Sequence, residues 1–224
     1  MKKYPLPIIG LLIISLVLIF GITKFAVDSL TPTGNAILST KVNIFEAQPA
    51  NCSFEIPSGI SQVSFFCIPN GIVIDDVLEN TTYTSLWTYE HDEPADPWKS
   101  YNPSLPSWVV HDLTLMTRTN GYYIKTSSNQ TYFFAGSKRI PNEISLTSGW
   151  NFVGYPTNET IIIPNAFLSL DGTYEEVRSY NNSDSTYYVH TPPSNGNLIR
   201  TEPYRTYWIY VNASSIWEVS SWKK

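Results

Sequence analysis

Charged side chains are scarce in this chain, and positively charged ones are in the minority. Lysine, arginine, aspartate and glutamate together make up 15% of the 224 residues, and the formal net charge is −5. A surface that binds nucleic acid needs an excess of positive charge to neutralise phosphates, so the composition argues against a nucleic-acid partner.

Short motifs of catalysis are also lacking. The chain contains no G-x-S-x-G, H-E-x-x-H, C-x-x-C or P-loop pattern, and its three histidines lie at unrelated spacings. Adjacent carboxylates such as Asp75 and Asp76 would point apart on either a strand or a helix. We therefore expect no enzymatic activity and no cofactor.

Aromatic residues and prolines are abundant. Aromatic side chains make up 14% of the chain, and there are 16 prolines. This composition is typical of β-rich, turn-rich extracellular proteins. We expect a mainly β fold of antiparallel strands with short helices, following an amino-terminal transmembrane helix.

The predicted transmembrane helix is an uncharged apolar run at residues 5–22. A helix of that length spans about 27 Å, close to the roughly 30 Å of a bilayer core. Lys2 and Lys3 precede the run, so the positive-inside rule predicts a cytoplasmic amino terminus and an extracellular remainder. Residues 1–27 are therefore predicted to be a single-pass anchor whose partner is the lipid bilayer.

Two other interpretations of this run remain. A cleavable signal peptide would make the protein secreted, although the run is longer than the usual apolar core of such a peptide. A pilin-like helix would pack in the core of a filament. Such families usually carry a basic residue and a glycine directly before the apolar run, and Gly10 instead lies inside it.

Residues 28–52 are predicted to form a stalk and a leading strand. Residues 28–35 are polar and turn-forming, and residues 37–45 include the alternation typical of a strand. Residues 48–51 contain Pro49 and are expected to break that strand. Outside a membrane, Cys52 and Cys67 are expected to form a disulfide, which would add about 3 kcal/mol of stability.

The second half of the chain repeats the landmarks of the first. Residues 146–156 (LTSGWNFVGYP) open the second repeat, and the apolar run at 63–68 is predicted to be a strand and its eroded counterpart. Three further segments match: 86–89 with 177–180, 98–101 with 187–190, and 122–124 with 207–209. The offsets stay within about 85–91 residues, which predicts two tandem β-rich pseudo-repeats, at 53–140 and 141–224.

The opening motif, the aromatic hairpin and the closing Tyr207-Trp208-Ile209 carry a family resemblance. Together they resemble the repeat unit of secreted or membrane-anchored S-layer-type glycoproteins of archaea and bacteria, which are mostly uncharacterised. The resemblance covers residues 53–222 and implies an extracellular location, with no catalytic residues to carry over. Trp150 and Gly154 have no clear counterpart in the first repeat.

Tryptophans and carboxylates supply the candidate ligand sites. Exposed aromatic rings can stack on sugars, and the alternative is that they are core and rim residues of small β modules. Trp150 and several tyrosines share this possibility, and the sugar-stacking candidates singled out are Trp87, Trp98, Trp108 and Trp208. The densest group of carboxylates could bind Ca²⁺ or could simply be a solvated hairpin tip. Its members are Glu90, Asp92, Glu93 and Asp96.

Six Asn-x-Ser/Thr sequons lie in the predicted extracellular part. They begin at Asn51, Asn80, Asn129, Asn158, Asn181 and Asn212. Each is a predicted glycosylation site.

The sequence thus predicts a membrane-anchored surface protein with a structural or adhesive role. Its expected partners are cell-envelope polysaccharide or other surface proteins. The alternative is a lectin-like module that binds carbohydrate through exposed Trp and Tyr. A pilin-like filament subunit and a cell-envelope hydrolase are lesser alternatives.

Overall fold

The structure is a computed structural model that describes residues 48–106, 108–138, 142–193 and 196–219. The apolar run at 5–22 and the strand expected at 37–45 lie outside these residues. Within the described ranges, no helix is long and apolar enough to cross a membrane. Those ranges are mainly β, every strand pair in them is antiparallel, and their two helices are short. The prediction of a mainly β, antiparallel fold with short helices is confirmed.

The first half of the described chain, Gln48–Lys138, is here called module 1. Its elements are β1 (Gln48–Ile56), β2 (Gly59–Val63), β3 (Ile72–Val73), α1 (Ile74–Leu78), β4 (Ser85–Tyr89), β5 (Trp98–Tyr101), β6 (Leu115–Met116), β7 (Tyr122–Thr126) and β8 (Gln130–Lys138). Four strands form one sheet in the order β2-β7-β4-β5, while β1 pairs with β8 and β3 with β6.

The second half, Asn142–Val219, is here called module 2. Its elements are β9 (Asn142–Leu146), β10 (Gly149–Gly154), β11 (Ile161–Ile162), a 3₁₀ helix (Asn165–Leu170), β12 (Tyr174–Asn181), β13 (Thr186–His190), β14 (Arg200–Thr201), β15 (Thr206–Val211) and β16 (Ser215–Val219). The large sheet has the order β10-β15-β12-β13, while β16 pairs with β9 and β11 with β14. Each sheet of module 1 therefore has a counterpart with the same strand order.

Strand register defines which positions of the two modules are equivalent. Ile124 pairs with Ser61 in module 1, and Ile209 pairs with Asn151 in module 2. Hydrogen bonds repeat with the register: the backbone N–H of Thr117 donates to the Tyr122 hydroxyl at 2.7 Å, and that of Glu202 donates to the Tyr207 hydroxyl at 2.8 Å. Tyr122–Ile124 and Tyr207–Ile209 are therefore equivalent segments.

The opening strand of module 1 differs from its predicted position. Residues 63–68 are predicted to be a strand, but β2 ends at Val63 and residues 64–68 form no strand. Gly59 begins β2 with a φ of +102°, as Gly149 begins β10 with a φ of +105°. By this register Ile60 is the counterpart of Trp150, and Ser64 that of Gly154. Residues 61–68 are buried without a break, and such a run does not distinguish a strand from a buried irregular segment.

The structure also corrects the prediction made for residues 48–51. The sequence predicts that they break a strand, but they form the first part of β1, in which Pro49 lies opposite Ser137. The sheet of β1 and β8 has two strands, so each strand leaves one edge unpaired. Proline is tolerated on such an edge because its missing N–H removes no required hydrogen bond.

Three large rings at equivalent positions fill the core of each module. In module 1 the ring centroid of Phe65 lies 5.9 Å from that of Tyr122 and 4.9 Å from that of Tyr132. In module 2 the ring of Tyr155 lies 5.7 Å from that of Tyr207 and 6.2 Å from that of Trp217. All six rings are fully buried, so each module has its own hydrophobic core.

The predicted disulfide between Cys52 and Cys67 is confirmed, with a Cα–Cα distance of 5.9 Å. It ties β1 to the buried segment that follows β2. The strand register makes Asn142 the counterpart of Cys52 in module 2. There the Asn142 side-chain amide donates to the backbone carbonyl of Pro156 at 2.9 Å. The two modules thus hold the same pair of segments together by different means.

The modules contact each other through exchanged, equivalent hydrogen bonds. The backbone N–H of Gly154 donates to the Thr119 carbonyl at 2.8 Å, and that of Ser64 donates to the Tyr204 carbonyl at 2.9 Å. Gly154 is equivalent to Ser64, and Thr119 to Tyr204. Such an exchange is what a two-fold axis produces, so an approximate two-fold axis relates the modules.

Replacing Cys52 and Cys67 by alanine is expected to lower the free energy of unfolding by about 3 kcal/mol, because the cross-link restricts the unfolded chain. The matched variant, Asn142→Ala, removes the hydrogen bond to the Pro156 carbonyl and is expected to cost about 1 kcal/mol. Urea unfolding of the full chain in mild detergent measures both losses. A reductant should reproduce the cysteine effect in the parent chain and leave the Asn142 effect unchanged. Equal losses for the two variants would contradict this interpretation.

Replacing Gly154 by alanine is expected to destabilise the fold by about 1–3 kcal/mol through overpacking. The added Cβ would lie 2.5 Å from the Asn120 carbonyl oxygen and 2.8 Å from that of Arg118, and neither backbone atom can swing away. Thermal unfolding measures the loss, with the exposed Asn158→Ala as the control. A Gly154→Ala chain as stable as the parent would show that the modules separate at this contact without cost.

Candidate functional site

Aromatic rings lie at the contact between the modules. Trp208 and Tyr123 occupy equivalent positions on β15 and β7, and the Trp208 indole N–H donates to the Tyr123 hydroxyl at 3.1 Å. Phe152 stacks on both, with ring centroids 4.9 Å from Tyr123 and 4.8 Å from Trp208. The ring centroid of Tyr89, on β4, lies 5.1 Å from that of Trp208. Burial raises the pKa of Tyr123 to about 12, so its hydroxyl stays protonated while it accepts this bond.

An open cleft of about 390 Å³ lies beside these rings, and we call it the aromatic cleft. Its lining residues come from both modules: Tyr89, Trp150, Arg178, Tyr187 and Trp208. It therefore combines flat apolar surfaces with a guanidinium and a phenol hydroxyl, which is the usual make-up of a small-ligand site.

Strand alternation directs the module 2 side chains into the cleft. Val177 is buried in the core, so the next residue of β12, Arg178, points to the opposite face of the sheet. Arg178 lies directly opposite Trp208 on β15, and Trp150 on β10 lies opposite Tyr210. Adjacent strands thereby bring Arg178, Trp208 and Trp150 onto one face.

Arg178 is held from two sides. Its guanidinium lies over the indole of Trp150, with its central carbon 4.8 Å from the ring centroid. Its Nε forms an ion pair with Glu176, two residues earlier on the same face of β12. Stacking and pairing together fix the plane of the guanidinium.

The structure separates the four tryptophans that the sequence singles out for sugar stacking. Trp98 and Trp208 lie together, with ring centroids 6.3 Å apart, and Trp98 is 46% exposed. Trp87 is half-buried opposite Tyr123, and Trp108 is 80% exposed in a loop. In the described part of the chain, neither Trp87 nor Trp108 makes a ring contact with another aromatic residue.

Sequence reasoning includes Trp150 among the aromatic residues that could stack on sugars, but it does not single out Tyr89, Tyr187 or Arg178. An arginine in a half-buried strand looks like any solvent-facing residue, and the signal that could have found it is its register with Trp208. That signal requires the order of strands in the sheet, which the sequence does not provide.

The acidic hairpin between β4 and β5 forms ion pairs. Lys99 Nζ lies 2.8 Å from a Glu93 carboxylate oxygen and 3.4 Å from one of Asp96. Glu90 and Asp92 instead line a separate polar pocket of about 400 Å³ at the module contact, together with Glu143. Across the described ranges, no group of three or more His, Cys, Asp or Glu side chains is placed to hold a metal ion. Calcium binding at this hairpin stays a prediction.

The sequon asparagines lie mainly at the surface. Five of the six are exposed: Asn51, Asn80, Asn129, Asn158 and Asn212. Asn181 is half-buried, and its side-chain amide donates to Asp184 at 3.0 Å. None of the sequon asparagines lines the aromatic cleft, so glycans attached there would not originate inside it.

No protein family, curated protein or solved structure matches this chain.

Glu90→Gln is expected to make the protein more stable than the parent at neutral pH. Burial, followed by the charge of Glu93, raises the pKa of Glu90 in the folded state. The folded state therefore disfavours the ionised carboxylate. This penalty is present above the raised pKa and disappears as the pH falls to the ordinary glutamate pKa, at about 4.3.

Urea unfolding of both chains between pH 4 and pH 8 measures this effect. The stability difference between Glu90→Gln and the parent should shrink steadily as the pH falls. Asn158→Ala, at an exposed residue without an ionisable side chain, is the control, and its stability difference from the parent should not depend on pH. A difference that grows on acidification would have the wrong sign for a raised pKa.

Proposed function

We propose that this protein is an extracellular adhesive protein, anchored by residues 1–27, that binds carbohydrate through the aromatic cleft. The observation that carries the proposal is the composition of the cleft: four aromatic rings and one arginine open to solvent at the junction of the modules. The C–H faces of a pyranose ring are apolar and stack on aromatic rings, while its hydroxyls need hydrogen-bond partners. The Tyr187 hydroxyl and the Arg178 guanidinium supply such partners.

The proposed location is supported by independent features of the chain. Disulfides persist in oxidising compartments outside the cytoplasm, and Cys52 pairs with Cys67. The apolar run at residues 5–22 and the preceding Lys2 and Lys3 are the features of an anchor with a cytoplasmic amino terminus. The sequons are compatible with the same location.

The two modules are proposed to derive from one duplicated unit. Equal strand order, equal register and the repeated hydrogen bonds to Tyr122 and Tyr207 support this origin. The proposal includes the resemblance to tandem repeats of S-layer-type surface glycoproteins. Repeats of that kind suit a protein that holds its binding surface away from the membrane.

Trp150→Ala is expected to weaken binding to cell-envelope polysaccharide by about 10-fold or more, because an aromatic side chain that a ligand covers carries much of the energy of an interface. The full chain in mild detergent is titrated with isolated polysaccharide while heat of binding is recorded. Near-ultraviolet circular dichroism checks that the fold is retained.

Trp108→Ala is the matched control, since it removes an exposed tryptophan that lies outside the cleft. It should bind like the parent. Equal losses for the two variants, or no binding by the folded parent chain, would count against the cleft as a carbohydrate site.

A further inference from the structure

The charge of the aromatic cleft is concentrated in one side chain. Of the described residues that line it, Arg178 alone carries a charge, and no carboxylate is among them. Glu176, the ion-pair partner of Arg178, instead lines a neighbouring depression with Trp150 and Tyr210. Glu176 contacts Arg178 at Nε, and among the described lining residues of the cleft the single charged group is the Arg178 guanidinium.

Most hydrogen-bond donors of Arg178 remain for a ligand. A guanidinium has five N–H groups, and Glu176 takes the one on Nε. Within the described ranges, Arg178 makes no other hydrogen bond. Its side chain is 47% exposed, whereas that of Glu176 is 27% exposed. The four N–H groups on the two terminal nitrogens can therefore reach a molecule in the cleft.

The position of Arg178 favours a planar anion. Stacking on Trp150 fixes the guanidinium plane, and the bond from Nε to Glu176 fixes its rotation within that plane. The edge that carries both terminal nitrogens then matches the two oxygens of a carboxylate. A neutral sugar offers only hydroxyls, which form weaker bonds to a guanidinium than a carboxylate does.

The arrangement occurs once in the described part of the chain. The strand register places Trp87 where module 2 has Arg178, and Ile60 where it has Trp150. Module 1 therefore lacks the cation and the ring beneath it. The difference between equivalent positions shows that a module of this fold can form without the pair.

We propose that the ligand of the aromatic cleft is an acidic saccharide containing a hexuronic acid. Its carboxylate pairs with the terminal nitrogens of Arg178, which lies over Trp150, and its sugar rings pack against Trp208 and Tyr89. The Tyr187 hydroxyl accepts a hydrogen bond from the Gln62 side chain at 2.8 Å, interacts with the Tyr123 hydroxyl, and is the phenol that the cleft offers to a sugar hydroxyl. This inference rests on the proposed carbohydrate function and names the class of sugar.

The test compares one sugar with and without its charge. Trigalacturonate and its fully methyl-esterified, neutral form are titrated separately into the full chain in mild detergent. The acid should bind about 10- to 100-fold more tightly than the ester, because hydrogen bonds between charged groups are the strong ones. Binding of the acid should weaken as salt is added, as expected for one ion pair.

Variants of Arg178 separate recognition from folding. Arg178→Gln should reduce the affinity for the acid to that for the ester and leave the affinity for the ester unchanged. Arg178→Lys should retain part of the preference, since it keeps the charge and loses the planar edge. Arg200→Gln is the matched control: this arginine of module 2 is paired with Glu202 and lies outside the cleft, so the preference should persist.

The possible failures are distinguishable. Equal affinity for acid and ester, with both lost in Trp150→Ala, would overturn the acidic-sugar inference and keep the carbohydrate function. An equal loss of both ligands in Arg178→Gln would likewise overturn it, because the arginine would then only support the cleft. If neither trisaccharide binds, the inference fails, and Trp150-dependent binding of a neutral envelope polysaccharide then decides whether the carbohydrate function stands.

Discussion

The contact between Trp208 and Tyr123 is the interaction on which the rest of the arrangement depends. The two residues are equivalent in the two modules, and the indole N–H of one donates to the hydroxyl of the other at 3.1 Å. A contact between equivalent positions lies close to an approximate two-fold axis. Phe152 and Tyr89 then pack around it, and the aromatic cleft is the margin of the same cluster. The candidate site is therefore a consequence of how the modules dock.

Local alternation explains why much of the fold can be predicted from the sequence. In β4, Leu86 and Thr88 are buried in the core of module 1, while Trp87 and Tyr89 point to the other face of the sheet. The two-residue repeat of a strand predicts directly which side chains share a face of the sheet. The disulfide could also be expected, because two cysteines beyond an apolar anchor have few other roles.

The docking of the modules could not be predicted in the same way. The sequence pattern of a strand is the same whether its outward-facing aromatic residues contact solvent or a second sheet. The sequence around Tyr123 therefore does not indicate that it contacts Trp208. The sequence predicts the opening strand of module 1 at residues 63–68 instead of Gly59–Val63 for a related reason. Residues 61–68 are all buried, so buried and exposed positions do not alternate there. The positive φ of Gly59, matched by that of Gly149, instead identifies where β2 begins.

The candidate tryptophans show that core and binding platform are not exclusive roles. Trp208 uses its N–H and its stacking on Phe152 to join the modules, and it still lines the aromatic cleft. Trp108 is the most exposed of the four, yet it lacks the neighbouring rings and cation that would make a site. Exposure alone therefore identifies a ligand platform poorly, and the surroundings of the ring are more informative.

Three residues of sequence, 139–141, separate the last strand of module 1 from the first strand of module 2. So short a tether makes the association of the two sheet faces intramolecular, at an effective concentration of about millimolar or above. No translational freedom is lost when the faces meet, so the aromatic contact need not be strong enough to hold two separate molecules. The polar pocket and the open cleft can persist at this junction because covalent continuity supplies what a tightly packed interface would otherwise provide.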